Sequence, residues 1–566
     1  MPKYLTLAMG LMLIASFSAS TVQSQQLKSR SVHKSTLHHE KIEDAYLPHP
    51  DQKRFVSKAY MFRDDIVFTT QVNVNADGQN IIGDAANEPS ISLDPSNPDK
   101  IVIGWRQFDN INSNFRQAGY AFTADFGQTW TFPGSINAGV FRSDPVLDID
   151  SDGTFYYNSL TSNNGEYTCK VFRSTDGGTS WDDGVEAKGG DKQWMVIDKT
   201  EGQGKGNIYS FWTSYWSSCY PGNYTRSING GNSYENCSFV DGDPYWGTMA
   251  VGPDGSLYIA GSGWQGIVVS KSTNAQNPIA ATLWDFTSQL NMEGDLSYGA
   301  EVNPGGLLGQ ASIAVDHSGT VSHGNVYVLA SVQRYSNDPG DVMFSRSIDG
   351  GISWSSPVRV NQDLSFSNTQ WFGTMSVAPN GRIDAVWLDT RDASSLMPRK
   401  SALYYSYSVD NGQTWSLNRR ISELFDPHVG WPNQEKMGDY FHMISDDESA
   451  HLAWANTLNG GQDVFYTRIT LDITGIEKNN DPSLLLSVYP NPVSDIAHLT
   501  YQIGLTEKIE ISITDTFGKL LWIEQSSSVE AGKHFKDIQF GHFTSGIYYL
   551  TIKSNHTSET LKIMKQ

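Results

Sequence analysis

Five acidic side chains stand at the start of five apolar, strand-like stretches: Glu88, Asp144, Asp191, Asp243 and Asp439. Gln310 and Gln370 take that place in two more. Trp194, Trp246, Trp371 and Tyr440 follow closely, and Trp105, Arg106, Trp212, Trp387 and Arg391 end the strands that come next. Carboxylates can serve as general acid, general base, nucleophile or hydrogen-bond acceptor, and aromatic faces stack on sugar C–H groups. The set therefore suits glycan chemistry. For hydrolysis, two of Asp144, Asp191, Asp243 and Asp439 are the candidate acid and base or nucleophile. Glu88, Arg106, Trp194, Trp246, Trp371, Arg391, His428 and Tyr440 are the candidate substrate contacts. The competing reading is structural, because an acidic residue beside Pro at a strand start also caps backbone amides.

A second chemistry uses other residues. His428, Tyr440 and Arg391 match the set that a resemblance to ulvan-type polysaccharide lyases implies, a His and a Tyr with an Arg facing the uronate carboxylate, which suits proton abstraction and elimination. His442 alternates along an apolar strand and reads as a core histidine. Clustered carboxylates leave structural Ca²⁺ open, but no dense ligand pattern accompanies them, so no metal site and no cofactor is assigned.

These residues need a frame that brings them together. The acidic or Gln positions head seven units of roughly 50 to 70 residues, each with two apolar strands and then two more. The later pair surrounds a recurring turn. Thr123-Ala-Asp125-Phe-Gly127-Gln-Thr129-Trp130, Ser174-Thr-Asp176-Gly-Gly178-Thr-Ser180-Trp181, Ser347-Ile-Asp349-Gly-Gly351-Ile-Ser353-Trp354 and Ser408-Val-Asp410-Asn-Gly412-Gln-Thr414-Trp415 share one form, and Ser227 to Tyr234 is a worn copy. The Asp accepts backbone amides, the Gly permits a positive φ, and the Trp offers an apolar face. The fourth unit lacks the turn. Four antiparallel strands per unit predict a propeller, with seven blades favoured over six. The strand-like residues 65–74 are placed to complete the last blade and close the ring.

The turn resembles the Asp-box, or BNR repeat, of sialidase-like β-propellers. That resemblance implies the fold and, in the sialidases, three arginines holding the substrate carboxylate, a Tyr–Glu nucleophile pair and an Asp acid/base. The first arginine belongs to an Arg-Ile-Pro type motif, and this chain reads Asn87-Glu88-Pro89-Ser90-Ile91 there. Arg106, Arg142, Arg334 and Arg391 are present without an assignable triad. The pattern is also similar to that of ulvan-type lyases.

The ends differ from the middle. Lys3, an apolar run over residues 5–17 and small residues up to Ser24 predict a secretory signal over 1–24. Residues 25–62 read as a flexible leader, 63–474 as the propeller and 475–483 as a linker. Residues 484–566 alternate apolar and polar positions between turns and predict a small β-sandwich. Tyr489-Pro-Asn-Pro, Asp515-Thr-Phe-Gly518-Lys and Gly546-Ile-Tyr548-Tyr-Leu550 resemble the type A sorting domain of the type IX secretion system. This resemblance implies a Bacteroidetes protein, a secretion machinery as partner, and a secreted or outer-membrane surface location. The 566 residues carry a formal charge of −21, which argues against nucleic acid, and no later stretch is apolar enough to cross a bilayer. Cys219 and Cys237 flank the worn turn and could pair, leaving Cys169 alone.

The expected function is a secreted or surface glycan-handling protein, most readily a sialidase-like glycoside hydrolase acting on an extracellular glycan. A non-catalytic carbohydrate- or protein-binding propeller and a uronate lyase are the alternatives. A carbohydrate-binding propeller predicts a mouth that holds aromatics without a carboxylate pair at catalytic distance, and one that binds another protein through its rim predicts a tightly plugged channel and an exposed apolar patch elsewhere.

Overall fold

The structure is a computed structural model. It describes residues 38–39, 44–46, 55–163, 165–264, 266–471, 485–503, 506–516, 518–530, 532–554 and 558–566. The expected signal segment and linker lie outside them. The chain divides into two compact units that meet in sequence near residue 469.

The first unit is a seven-bladed propeller. Blade 1 holds Ala85–Leu93, Ile101–Phe108, Gln117–Thr123 and Thr131–Ile136; blade 2 holds Ser143–Ile149, Phe155–Asn163, Glu166–Ser174 and Val185–Lys188. Blade 3 has three strands, Trp194–Ile197, Ile208–Phe211 and Tyr224–Ser227. Blade 4 runs from Met249–Val251 to Phe286–Leu290, blade 5 from Ser312–Val315 to Val358–Arg359, and blade 6 from Gln370–Val377 to Arg419–Arg420. Blade 7 joins His442–Ser445, Ser449–Asn456 and Asp463–Thr470 to Val67–Gln71, a strand from before blade 1. Neighbouring first strands touch all the way round and close the ring.

The recurring turn links the third strand to the fourth segment of its blade. In blade 1, Asp125 Oδ1 accepts from the amides of Gln128 and Thr129 at 2.9 and 3.0 Å, and Oδ2 accepts from the Thr129 hydroxyl at 2.6 Å. Blades 2, 5 and 6 repeat these side-chain bonds through Asp176, Asp349 and Asp410. The hydroxyl at Ser353, its amide and the Ser347 hydroxyl hold the Asp349 carboxyl down at about 2. The turn also joins blades. Trp130 packs on Tyr466 of blade 7, Trp181 on Tyr120 of blade 1, and Trp415 on Phe344 of blade 5. Gly127, at φ 79°, lies so flat on Tyr466 that a Cβ would stand 2.3 Å from its ring. Blade 4 keeps a remnant that the sequence reading missed: Asn274 Oδ1 accepts from the Leu283 amide and the Ser272 hydroxyl, and Trp284 packs on Tyr224 of blade 3. The apolar cores accordingly run between adjacent blades.

The leader departs from expectation. Val56–Lys58 pairs with Gln79–Ile81, and Met61–Arg63 adds an outer strand beside Val67–Gln71. The described residues of the leader are thus built into the propeller rather than free. Cys219 and Cys237 form a disulfide, and Cys169 is buried. No helix among the described residues is long and apolar enough to cross a membrane.

The second unit is a β-sandwich. One sheet orders Leu485–Tyr489, Ile496–Ile503 and Gly532–Gln539; the other orders Leu520–Val529, Glu507–Asp515, Gly546–Lys553 and Ser558–Lys565. Leu499, Ile511, Ile513, Ile538, Leu550 and Ile563 fill the space between them.

The disulfide spans 18 residues of sequence in blade 3. Cys237→Ser together with Cys219→Ser is expected to lower stability by about 3 kcal/mol, the chain-entropy value for a loop of that size. Equilibrium denaturation with and without reductant measures it, and a double variant as stable as the parent refutes it.

Candidate functional site

Each blade's first strand begins at one mouth of the central channel and ends at the other. The strand ends Leu93, Ile149, Ile197, Val251, Val315, Val377 and Ser445 define equivalent positions. Five residues back, the ring at the mouth is Glu88, Asp144, Lys192, Trp246, Gln310, Phe372 and Tyr440. Five of these are non-glycine residues in the left-handed region, at φ 49° for Glu88, 47° for Asp144, 57° for Lys192, 54° for Trp246 and 56° for Phe372. Three of the seven positions aligned from sequence therefore hold this place, namely Glu88, Asp144 and Gln310. Asp191 and Asp439 lie one residue earlier, Gln370 two and Asp243 three, because the loops entering the blades differ in length.

Four of the acidic candidates converge on Arg106 and on two lysines that the sequence reading did not select. Lys192 Nζ lies 2.7 Å from Asp439 Oδ2, 3.6 Å from Asp191 Oδ1 and 4.0 Å from Asp144 Oδ2. Lys436 Nζ lies 2.8 Å from Asp439 Oδ2 and 3.4 Å from Glu88 Oε1, and Arg106 Nε lies 3.2 Å from Glu88 Oε2. All of these side chains are buried. Burial pushes the Glu88 carboxyl well above the usual range, against the pull of Arg106 and Lys436. At Asp439 burial acts in the same sense, but Lys192 and Lys436 overcome it and hold the group well below that range. Two carboxyl groups shifted in opposite directions thus share Lys436, an arrangement found in acid–base pairs and also in sealed ionic cores.

The mouth is covered. Asn303 donates to the carbonyls of Leu307 and Gly438 and accepts from the Met437 amide, and the Leu307 amide donates to Asp439 Oδ1 at 2.8 Å. The leader adds His38, 3.7 Å from Asp439 and stacked on Tyr298, and His39, stacked on Trp216 at 3.6 Å. Asp44 accepts from the Asn114 amide nearby.

The remaining candidates lie elsewhere. Trp105, Trp212, Trp371 and Trp387 are fully buried within the blades, and Trp246 is a core residue. None offers a face to a sugar at the mouth, so the aromatic lining expected there is core packing. Asp243 accepts from Asn223 and Ser214 at the edge of blades 3 and 4, and burial raises its pKa. The elimination set is dispersed. Arg391 pairs with Asp389 at 2.6 Å and lies over the Tyr404 ring, His428 bonds the Glu301 carbonyl and packs at a tilt on Trp431, and Tyr440 donates to the Pro145 carbonyl. No group of metal-ligating side chains occurs among the described residues.

Behind the mouth the channel holds a cavity of about 410 Å³ lined by the first strands of blades 3 to 7. Trp194, Thr248, Gln310, Ser312, Phe372, Thr374, Ser376, Tyr440 and His442 are on its walls. His442 Nδ1 accepts from the Ser90 hydroxyl and the Ile91 amide, so Nε2 carries the proton. Burial pulls His442 down to about 4.

Comparison with known proteins gives a clear result for the second unit alone. Residues 487–566 match the secretion system C-terminal sorting domain. The protein is exported through type IX secretion to the cell surface or beyond. No curated protein matches the chain in sequence. Among solved structures, a protein of unknown function from Dyadobacter fermentans is 13% identical with a TM-score of 0.42, covering 72% of this chain and 99% of its own. PorZ, a surface component of the type IX secretion system of Porphyromonas gingivalis, is 15% identical with a TM-score of 0.38, covering 84% and 59%. A sialidase from Trypanosoma rangeli is 10% identical with a TM-score of 0.36, covering 90% and 89%.

Two stability measurements probe this interior. Asp439→Asn strands Lys192 and Lys436 and is expected to cost about 3–5 kcal/mol. Burial already disfavours the charged form of Glu88, and Glu88→Gln keeps an acceptor for Arg106, so its loss should be smaller than that of Asp439→Asn. Equal losses in chemical denaturation would contradict that ordering. His442 titrates near 4 when folded and near its ordinary 6.5 when unfolded. Between those values the unfolded chain binds the extra proton, so this contribution is whole above about pH 6.5 and is lost as pH falls through 4. It amounts to roughly 3 kcal/mol at most. His442→Gln should flatten the parent's stability profile across that window, and an unchanged slope would refute the assignment.

Proposed function

We propose that the protein is an exported, non-catalytic binding propeller that holds an extracellular glycan at the cell surface. The observation that carries this reading is the sealed mouth. Of the four carboxylates that would perform hydrolysis, Asp144, Asp191 and Asp439 are enclosed around Lys192 and Lys436 beneath Asn303 and Leu307, and Asp243 stands apart on Asn223 and Ser214. A glycosidase needs its acid and its nucleophile in reach of one bond, with room for the sugar between them. Here lysine ammonium groups occupy the space between those carboxyls. The lyase alternative has less support, since Arg391, His428 and Tyr440 each satisfy separate partners. Export through the sorting domain fits a protein whose ligand is outside the cell.

The test is a paired screen of the full-length protein on a glycan array and on soluble glycans. Host, plant and algal polysaccharides and sialosides are included. The expected outcome is saturable array binding with neither new reducing ends nor unsaturated uronate absorbance. Reducing ends that vanish in folded Glu88→Gln and Asp439→Asn variants would establish a hydrolase and overturn the proposal. The unsaturated chromophore would overturn it in favour of elimination.

A further inference from the structure

The cavity behind the mouth has a property that packing alone does not require. Gln310 is 5% exposed, lies on the cavity wall, and neither Oε1 nor Nε2 has a hydrogen-bond partner in the structure. A buried carboxamide left unpaired at both ends costs about 1–3 kcal/mol per group. Among the aliphatic side chains of the wall stand polar and aromatic groups: hydroxyls of Thr248, Ser312, Thr374 and Ser376, the His442 imidazole, and the rings of Trp194 and Tyr440. The volume, about 410 Å³, falls within the usual range for small-molecule sites. The other end of the cavity reaches the turns that follow the first strands, at Lys199, Thr200, His317 and Pro379. Access is therefore from the face opposite the covered mouth.

We infer that this channel is a binding site for one neutral sugar residue, entering from the turn face and meeting the Gln310 carboxamide at its inner end. The inference rests on the glycan-binding reading above and gives it a place. Neutrality follows from the charges on the wall. His442 is uncharged at neutral pH. The charged pair at the rim, Lys199 and Asp148, is closed on itself at 2.5 Å, and Asp148 also accepts from the Ile197 amide. His317 Nε2 is taken by the Val251 carbonyl. A carboxylate carried inward would be buried without a counter-ion, at a cost of several kcal/mol. A hydroxyl-rich neutral ring instead supplies donors and acceptors to Gln310 and the wall hydroxyls, with its C–H face toward the aromatic rings.

The experiment titrates the full-length protein with methyl glycosides of glucose, galactose, mannose and N-acetylglucosamine, and with methyl glucuronide as the charged comparator. Tryptophan fluorescence and calorimetry provide the readouts. At least one neutral glycoside is expected to bind saturably at one site, about tenfold or more tighter than the glucuronide. Gln310→Leu should weaken it about tenfold, and Ser376→Phe, which fills the cavity, should abolish it. Ala314→Phe serves if Ser376→Phe lowers the unfolding temperature by more than a few degrees. No saturable binding by any neutral glycoside, or binding that survives the filled cavity, overturns the channel site. Array binding that persists in Ser376→Phe leaves the glycan-binding reading standing while the channel falls. Channel binding without array binding does the reverse.

Discussion

Closure of the ring governs everything else in this propeller. Blade 7 is assembled from both ends of the repeat region. The Val72 amide bonds the Val464 carbonyl, Thr69 and Thr467 share a 2.8 Å hydroxyl contact across 398 residues, and Asn73 donates to Asp463 at 2.7 Å. Beyond this seam, Asn87 donates to Gln462, tying the start of blade 1 to the last blade. These contacts turn seven weakly independent sheets into one closed structure whose first strands surround an axis. Without the seam, the inner strands of blades 1 and 7 would face water, and Glu88 would lose its enclosure with Lys436. The cost is entropic, since contacts of such sequence separation require nearly the whole chain to be ordered before they form.

The two ends of the channel follow different rules. At the mouth, charge is concentrated and neutralised internally, which favours a fixed interior over an adaptable site. The cavity behind it holds no such cluster: at its inner end the buried Gln310 carboxamide lacks a partner, and at its turn-face rim Lys199 is closed on Asp148. A buried ion cluster contributes little net stability when complete and a large penalty when broken. The mouth therefore behaves as a lock on the ring, and the opposite end is where the interior remains available to a ligand.

Much of the fold was legible because its signals are local. The Asp of each turn must accept nearby amides, the following Gly must lie flat against the neighbouring blade, and the Trp must reach that blade's aromatic, so each requirement leaves a residue type at a fixed spacing. The seven units are legible from a second repeat, the polar residue heading each pair of apolar strands, and the closing strand from its place before the first unit. The mouth was not legible to the same depth. Glu88, Asp144, Asp191 and Asp439 do gather as the sequence suggested, but Lys436, Asn303, Leu307 and His38 arrive from segments with no periodic relation to them. The aromatic positions misled for a related reason. Trp371 and Trp387 lie in the same strand starts and ends as the charged groups, and alternation sends them into the blade instead of the channel. Blade 4 shows the converse case, where Ser272 and Asn274 keep the turn's hydrogen bonds after its recognisable letters have gone.

The kink that opens five of the seven first strands separates backbone from chemistry. At equivalent points around the mouth stand Glu88, Asp144, Lys192, Trp246, Gln310, Phe372 and Tyr440, seven different residue types. Five of them tolerate a left-handed backbone that would ordinarily select glycine. The blades thus preserve a shape while leaving its occupant unspecified. A lineage built on this frame can exchange an acid for a base or a ring at one blade without shifting the register of any strand. Its ligand preference can drift through single substitutions while the architecture stays still.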